Sequence, residues 1–191
     1  MITTTSVTEL LKIVNVEHSD PHHVLGMHEI NEGENGVIIS VREFIPQAKS
    51  IFVIDAEDET KKYEMIKIHE DGFFEVIIPD RDKWFKYYIS VTDFEGNEWE
   101  TYDTYSFAPT VSEYDRYLFN AGNHYKIYEK LGAHIKEVDG ILGVSFAVWA
   151  PNAKSVSIIG DFNSWDERRN QMRMLGESGI WEMFIPGLQE G

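Results

Sequence analysis

From Ile158 to Asn170 the chain reads IIGDFNSWDERRN, with Trp165 standing among the small polar residues Asp161, Asn163 and Ser164. Gly, Asp, Asn and Ser suit a turn because they tolerate positive φ and bond to their own backbone; a tryptophan gains nothing from such a place. Trp165 therefore either folds back into a core or is displayed for a partner to press against. Other residues capable of chemistry offer less. His22, His23 and His28 cluster in sequence, but no carboxylate or cysteine spacing completes a ligand set around them, so no metal is expected. The stretch GENG from Gly33 is an isolated turn without the strand and helix that frame a phosphate loop. The many Asp and Glu residues sit in loop-like contexts, and none is assigned to catalysis.

Charge and length narrow the partners. With 191 residues the chain can form one large or two small domains. A net charge of −16 repels phosphate backbones and anionic lipid, so neither nucleic acid nor a membrane is an expected partner. It does not oppose a neutral ligand such as a sugar polymer. The absence of cysteine fits a reducing cytosol, and no stretch has the length or apolarity of a membrane span or an export signal. A cytoplasmic location is expected, with no cofactor.

The elements that must position Trp165 come from an internal repeat. VLGMH ending at His28 resembles KLGAH ending at His134, 106 residues on. The stretch from Gly36, GVIISVREFIPQAKSIFVI, returns as GVSFAVWAPNAKSVSII from Gly143, an offset of 107 that falls to 105 by the prolines Pro46 and Pro151. MIKIHEDGFFEVIIP from Met65 returns as MRMLGESGIWEMFIP from Met172, again 107 on. Such steady spacing marks a duplicated module. Within it Val37, Ile39 and Val41, and likewise Val144, Phe146 and Val148, alternate as half-buried strands do. The Asp71-Gly72 and Ser178-Gly179 pairs suit tight hairpins. On the initial offset Trp149 aligns with Arg42, while Trp181 aligns with Phe74 and reads as core; Trp84 opens a strand.

Short strands at this spacing predict an all-β chain of two tandem immunoglobulin-like β-sandwiches. Helical pattern is confined to two places. Ser6 and Glu9 form a capping box before LLKIV, and Ser112 caps a run in which Tyr114, Tyr117 and Leu118 share helical spacing until Gly122. The expected organisation is an N-terminal helix at 1–19, a first sandwich at 20–110, a helical linker at 111–130 and a second sandwich at 131–191. After Pro79 the first copy continues through WFKYYISV, a DFEGNE turn and WETYDTYSF; after Pro186 the second has only GLQEG. The second sandwich is thus expected to lack its last two strands, and the chain to be the N-terminal part of a longer protein.

The residues now quoted carry a resemblance. YEKLGAH, FAVWAPNAKSVSIIGDFNSWD and GIWEMFIPG closely resemble the glucan-binding module, carbohydrate-binding module family 48, of bacterial glycogen branching enzymes. DPHHVLGMH resembles the extra N-terminal module of many of those enzymes, so the likeness runs from about Asp20 onward. GDFNxW alone is shared with debranching enzymes and with the glycogen-sensing β subunit of AMP-activated kinase; the duplication and HYKIYEKLGAH favour branching enzymes. The resemblance implies a parent enzyme that cuts α-1,4-glucan and rejoins the end as an α-1,6 branch. Its two carboxylates would lie on a downstream (β/α)₈ barrel of glycoside hydrolase family 13 type, a partner on the same polypeptide. A complete non-catalytic glycogen-sensing protein and the start of a debranching enzyme are the alternatives.

The resemblance also implies a site. Sugar C–H groups stack on an indole while hydroxyls bond nearby polar tips, and in the similar kinase subunit the FNxW tryptophan is such a platform. Trp165 is the expected carbohydrate contact here, with Asn163 and Ser164 meeting hydroxyls. That subunit's second tryptophan and lysine lie on a later hairpin, which the second copy does not reach. The first copy keeps Lys86 and Trp99 at the like positions but has DAEDET where the second has GDFNSW. It is expected to be a spacer rather than a binder.

Overall fold

The computed structural model describes residues 3–31, 33 and 36–190; Glu34 and Asn35 of the GENG turn, and Glu32 beside it, lie outside these. Met1–Asn15 with His22–Ser106 form one compact unit, and Val16–Pro21 with Phe107–Gly191 form the other. No helix among the described residues is long and apolar enough to cross a membrane.

The first unit contains β1 (Gly26–Asn31), β2 (Val37–Phe44), β3 (Ala48–Asp55), β4 (Lys62–Glu64), β5 (Ile66–His69), β6 (Phe73–Ile78), β7 (Tyr87–Asp93) and β8 (Glu98–Thr101). They form two antiparallel sheets, β1-β2-β6-β5 and β4-β3-β7-β8. Between them Val41, Ile51, Val53, Met65, Phe74, Tyr87, Ile89 and Val91 make a single core, which defines an immunoglobulin-like sandwich. Alternation along β2 puts Ile39 and Val41 into this core, yet Ser40 and Arg42 on the opposite face are buried too. The chain leading into helix α1 (Val7–Val14) covers that face: Thr4 N donates to Glu75 Oε1 at 3.1 Å, and Arg42 Nε lies 3.3 Å from the same oxygen. Burial pushes the Glu75 carboxyl up, but hydrogen bonds from Thr4, Thr3 and Ser40 more than offset it and hold it below the ordinary range.

The second unit repeats this plan. Its strands are β9 (Gly132–Val138), β10 (Ile141–Trp149), β11 (Ser157–Ile158), β12 (Asn170–Gln171), β13 (Arg173–Met174) and β14 (Ile180–Pro186). The sheet β13-β14-β10-β9 has the order of β5-β6-β2-β1, and β11-β12 matches β3-β4. Register agrees as well. Glu75 faces Arg42, and Glu182 faces Ala147, so β10 runs 105 residues after β2 while β14 runs 107 after β6. This corrects one expectation: Trp149 is the counterpart of Phe44, not of Arg42. A sheet tolerates no slip that turns its buried face outward, so the extra residue is absorbed in the hairpin before the strand. Trp181 is fully buried, as its match to Phe74 requires.

The repeat also reaches further back than the strands suggested. Helix α2 (Glu113–Asn120) starts with a capping box between Ser112 and Asp115, 106 residues after Ser6 and Glu9. Burial pushes the Asp115 carboxyl up, but hydrogen bonds from Ser112 and His124 outweigh this and leave it far below the usual range. Phe119 packs on a small core of Val111, Ala147, Leu175 and Ile180, and stands edge-on to Trp149 at 5.8 Å. The stretch 111–130, expected as a linker, sits in the second unit. His28 Nε2 donates to Leu25 O and His134 Nε2 to Leu131 O, both at 2.9 Å, which gives the paired LGxH blocks a structural role.

Among the described residues, β7 and β8 have no counterpart in the second unit. Val41, Ile51 and Val53 pack against Ile89 and Val91 of β7. Their counterparts Phe146, Val156 and Ile158 instead line an open apolar groove of about 640 Å³, with Leu131, Val148 and Met172.

One hairpin tests the shared plan. Gly72 has φ +99°, and a Cβ there would fall 2.6 Å from Ile45 O; its counterpart Gly179, at φ +72°, would meet Pro151 Cβ at 2.7 Å. Gly72→Ala is expected to lower the urea unfolding free energy by about 2 kcal/mol or more, since it adds strain and a backbone clash at once.

Candidate functional site

The Trp165 loop joins β11 to β12. Its counterpart joins β3 to β4 and is two residues shorter, so the insertion falls where the tryptophan stands. The loop is built around Asn163, which is 1% exposed. Asn163 Oδ1 accepts from Gly160 N at 3.0 Å, while Nδ2 donates to Ile158 O at 2.7 Å and Asn170 Oδ1 at 2.9 Å. The structure thus turns Asn163 inward, where its amide closes the loop instead of reaching a ligand. Trp165 N donates to Gly160 O at 3.0 Å and Asp166 N to Asn163 O at 3.2 Å, completing two tight turns. Arg168 grips Asp166 through Nε at 2.9 Å and Nη2 at 2.7 Å, and these bonds hold the Asp166 carboxyl below its usual range.

These constraints drive Ser164 and Trp165 into the left-handed region, with φ of 57° and 58°. A bulky L-residue avoids that region at a cost of roughly 1–2 kcal/mol, so the conformation persists only because the surrounding bonds impose it. Trp165 does not fold back into a core. It is 63% exposed, and its indole Nε1 donates to Asp161 Oδ1 at 2.8 Å. Ser164 and Asp161 are exposed beside it, and Phe162 is 39% exposed. An aromatic face ringed by hydroxyl and carboxylate suits a ligand with both C–H faces and hydroxyl groups.

The first unit handles the same position differently. Asp55 is buried beside Arg81, Lys61 Nζ bonds Asp80 Oδ2 at 2.8 Å, and the Tyr63 hydroxyl donates to Asp80 Oδ1 at 2.6 Å. Bonds from Lys61 and Tyr63 hold Asp80 down at about 2. This loop is an ionic clasp with no aromatic face. Lys86 is exposed with its ammonium 5.8 Å from the Tyr102 ring centroid. Trp99 is half-buried and packs on the first core, so its indole is largely used in the fold. Lys86 and Trp99 belong to the first unit, and Ser164 and Trp165 to the second.

Sequence reasoning did not single out Trp149, which is 54% exposed beside Pro151 and Gly179. Its place in a strand pattern concealed it; its counterpart Phe44 is buried, so the two copies differ at this position.

Residues 6–105 match the family described as alpha-1,4-glucan branching enzyme GlgB, N-terminal domain, and residues 130–191 match carbohydrate-binding module 48 (isoamylase N-terminal domain). The chain is similar to the 1,4-alpha-glucan branching enzyme GlgB of Thermosynechococcus vestitus, at 44% identity over 98% of this chain and 24% of that protein. It is similar to that of Trichormus variabilis at 43% over 100% and 24%, and to that of Protochlamydia amoebophila at 45% over 95% and 24%. The chain therefore spans about a quarter of the length of the curated relatives it matches. A solved pullulanase from Paenibacillus barengoltzii is a distant likeness, with a TM-score of 0.34 and 17% identity over 52% of this chain and 14% of that one. Two copies of one sandwich, the first matched to the GlgB N-terminal domain over more than half the chain and the second to a carbohydrate-binding module, place this protein in the alpha-1,4-glucan branching enzyme GlgB family, in its N-terminal region.

Proposed function

We propose that this chain is the glucan-holding and scaffolding portion of a cytoplasmic 1,4-alpha-glucan branching enzyme, with glycogen as its polymer. The second unit holds an α-1,4-glucan chain on Trp165, assisted by Ser164, while Asn163 keeps the loop in shape. The first unit, with its ionic clasp and inward Trp99, acts as a spacer. Catalysis belongs to a barrel in the same polypeptide. There one carboxylate attacks and a second serves as acid and base, roughly 5 Å apart as in a retaining mechanism. No residue here is assigned either task, and this chain alone is expected to be inactive.

The observation that carries the reading is the exposed indole held in a strained loop where the second copy carries a two-residue insertion. A single platform binds weakly: a dissociation constant near 1 mM corresponds to only about −4 kcal/mol. That suits an enzyme that meets many chain ends of one polymer in succession. Electrophoresis through gels containing glycogen tests this. Trp165→Ala is expected to abolish most of the retardation, whereas Trp99→Phe leaves it intact. Equal retardation of Trp165→Ala and parent would remove Trp165 as the platform.

A further inference from the structure

We propose that Asp161 is the positioning residue of the Trp165 platform, an assignment that rests on the reading of Trp165 as a glucan contact. An indole on a surface loop has two free torsions and would otherwise lie flat against its own hairpin or swing through solvent. Here Nε1–H donates to Asp161 Oδ1 at 2.8 Å, a bond to a charged acceptor that sets the ring plane. Ser164 and Trp165 are both at positive φ, and Trp165 is 63% exposed, so this bond is a tether on a ring that stands largely in solvent. The loop's own fold does not use this carboxylate: its closure comes from Asn163, from Trp165 N to Gly160 O, and from the Asp161 backbone carbonyl, which accepts from Ser164 N at 3.2 Å. Asp161 therefore orders the platform without being needed to form the turn. The first copy is consistent with this: it has Ala56 after Asp55 where the second has Asp161 after Gly160, and it carries no tryptophan to orient.

The test uses the full chain, ¹⁵N-labelled and titrated with maltoheptaose, with the Trp165 Nε1–H resonance assigned by its loss in Trp165→Ala. Asp161→Ala is expected to move that resonance, weaken maltoheptaose binding by about threefold to tenfold, and leave the amides of Ile158, Asn163 and Asn170 in place. Asp161→Asn keeps an oxygen acceptor and is expected to recover most of the affinity. Binding by Asp161→Ala equal to the parent, when Trp165→Ala binds poorly, would overturn the assignment and spare the platform. Equal weakening by Asp161→Ala and Asp161→Asn would also overturn it, because charge rather than the bond would then be what matters. If Trp165→Ala itself binds as the parent does, the glucan reading fails, and this assignment fails with it.

Discussion

Glu182→Ala is expected to destabilise the second unit by about 3–5 kcal/mol, the usual cost of removing one partner from a buried ion pair. Glu182 is completely buried. Its Oε1 accepts from Thr110 N and Thr110 Oγ1, each at 2.9 Å, and its Oε2 meets Arg173 Nε at 3.0 Å and Nη2 at 2.9 Å. Arg173 Nη2 also donates to Phe107 O at 3.0 Å, so the guanidinium ties the strand to the entering chain. Without the carboxylate, a buried cation and two donors lose their acceptor together. Glu182→Gln keeps the shape and one acceptor and is expected to cost less, about 1–3 kcal/mol. Urea unfolding of the chain measures both. A loss under about 1 kcal/mol for Glu182→Ala would mean that the network is dispensable.

The second large effect depends on pH and belongs to the first unit. Asp103 is 1% exposed and Glu43 3% exposed. Tyr87 donates its hydroxyl to Asp103 Oδ2, and Tyr105 N donates to Oδ1 at 2.7 Å. His22 stands edge-on to Tyr105 at 5.0 Å. Burial pushes Asp103 up to about 6, against the pull of the Tyr87, Tyr105 and Glu43 hydrogen bonds. A folded value above the unfolded one of about 3.9 means that this stabilisation is complete below about pH 4 and is lost as pH rises through about 6. The loss amounts to about 2–3 kcal/mol by pH 8. Asp103→Asn is expected to flatten that slope in thermal or urea melts between pH 4.5 and 8. The same slope in the variant and the parent would place the titration elsewhere.

These two sites also mark where sequence stops being informative. The duplication was legible because its carriers are turn residues and apolar alternation, which a sandwich cannot exchange without losing a hairpin or a face. The arginine was not. In the first unit the carboxylate Glu75 is met by Arg42 from β2; in the second, Glu182 is met by Arg173 from β13, on the opposite flank. The counterparts of these arginines are Ala147 and Ile66, so an alignment shows two unrelated substitutions where the structure shows one buried charge neutralised from either side. The register of β10 was misread for a related reason. Its length difference falls between paired strands, in a polar stretch whose spacing leaves no apolar mark.

In the candidate site, composition identified the loop but not the division of labour within it. An asparagine in a polar turn can face a ligand or bond its own backbone, and the two choices look alike until burial is known; Asn163 makes the second. Asp161, by contrast, reads as one more acidic loop residue, and only the distance to the Trp165 indole distinguishes it. That the described residues of the second unit hold no counterpart of β7 and β8 was legible, because the first copy supplied the template against which the second could be counted.

The most direct measurement is a ¹H–¹⁵N titration of the whole chain with maltoheptaose. The account predicts saturable shifts at the Trp165 indole N–H and at the backbone amides of 160–166, with the 55–62 loop and the Trp99 indole unmoved. Shifts at Trp99 and Lys86 with the Trp165 loop silent would contradict it.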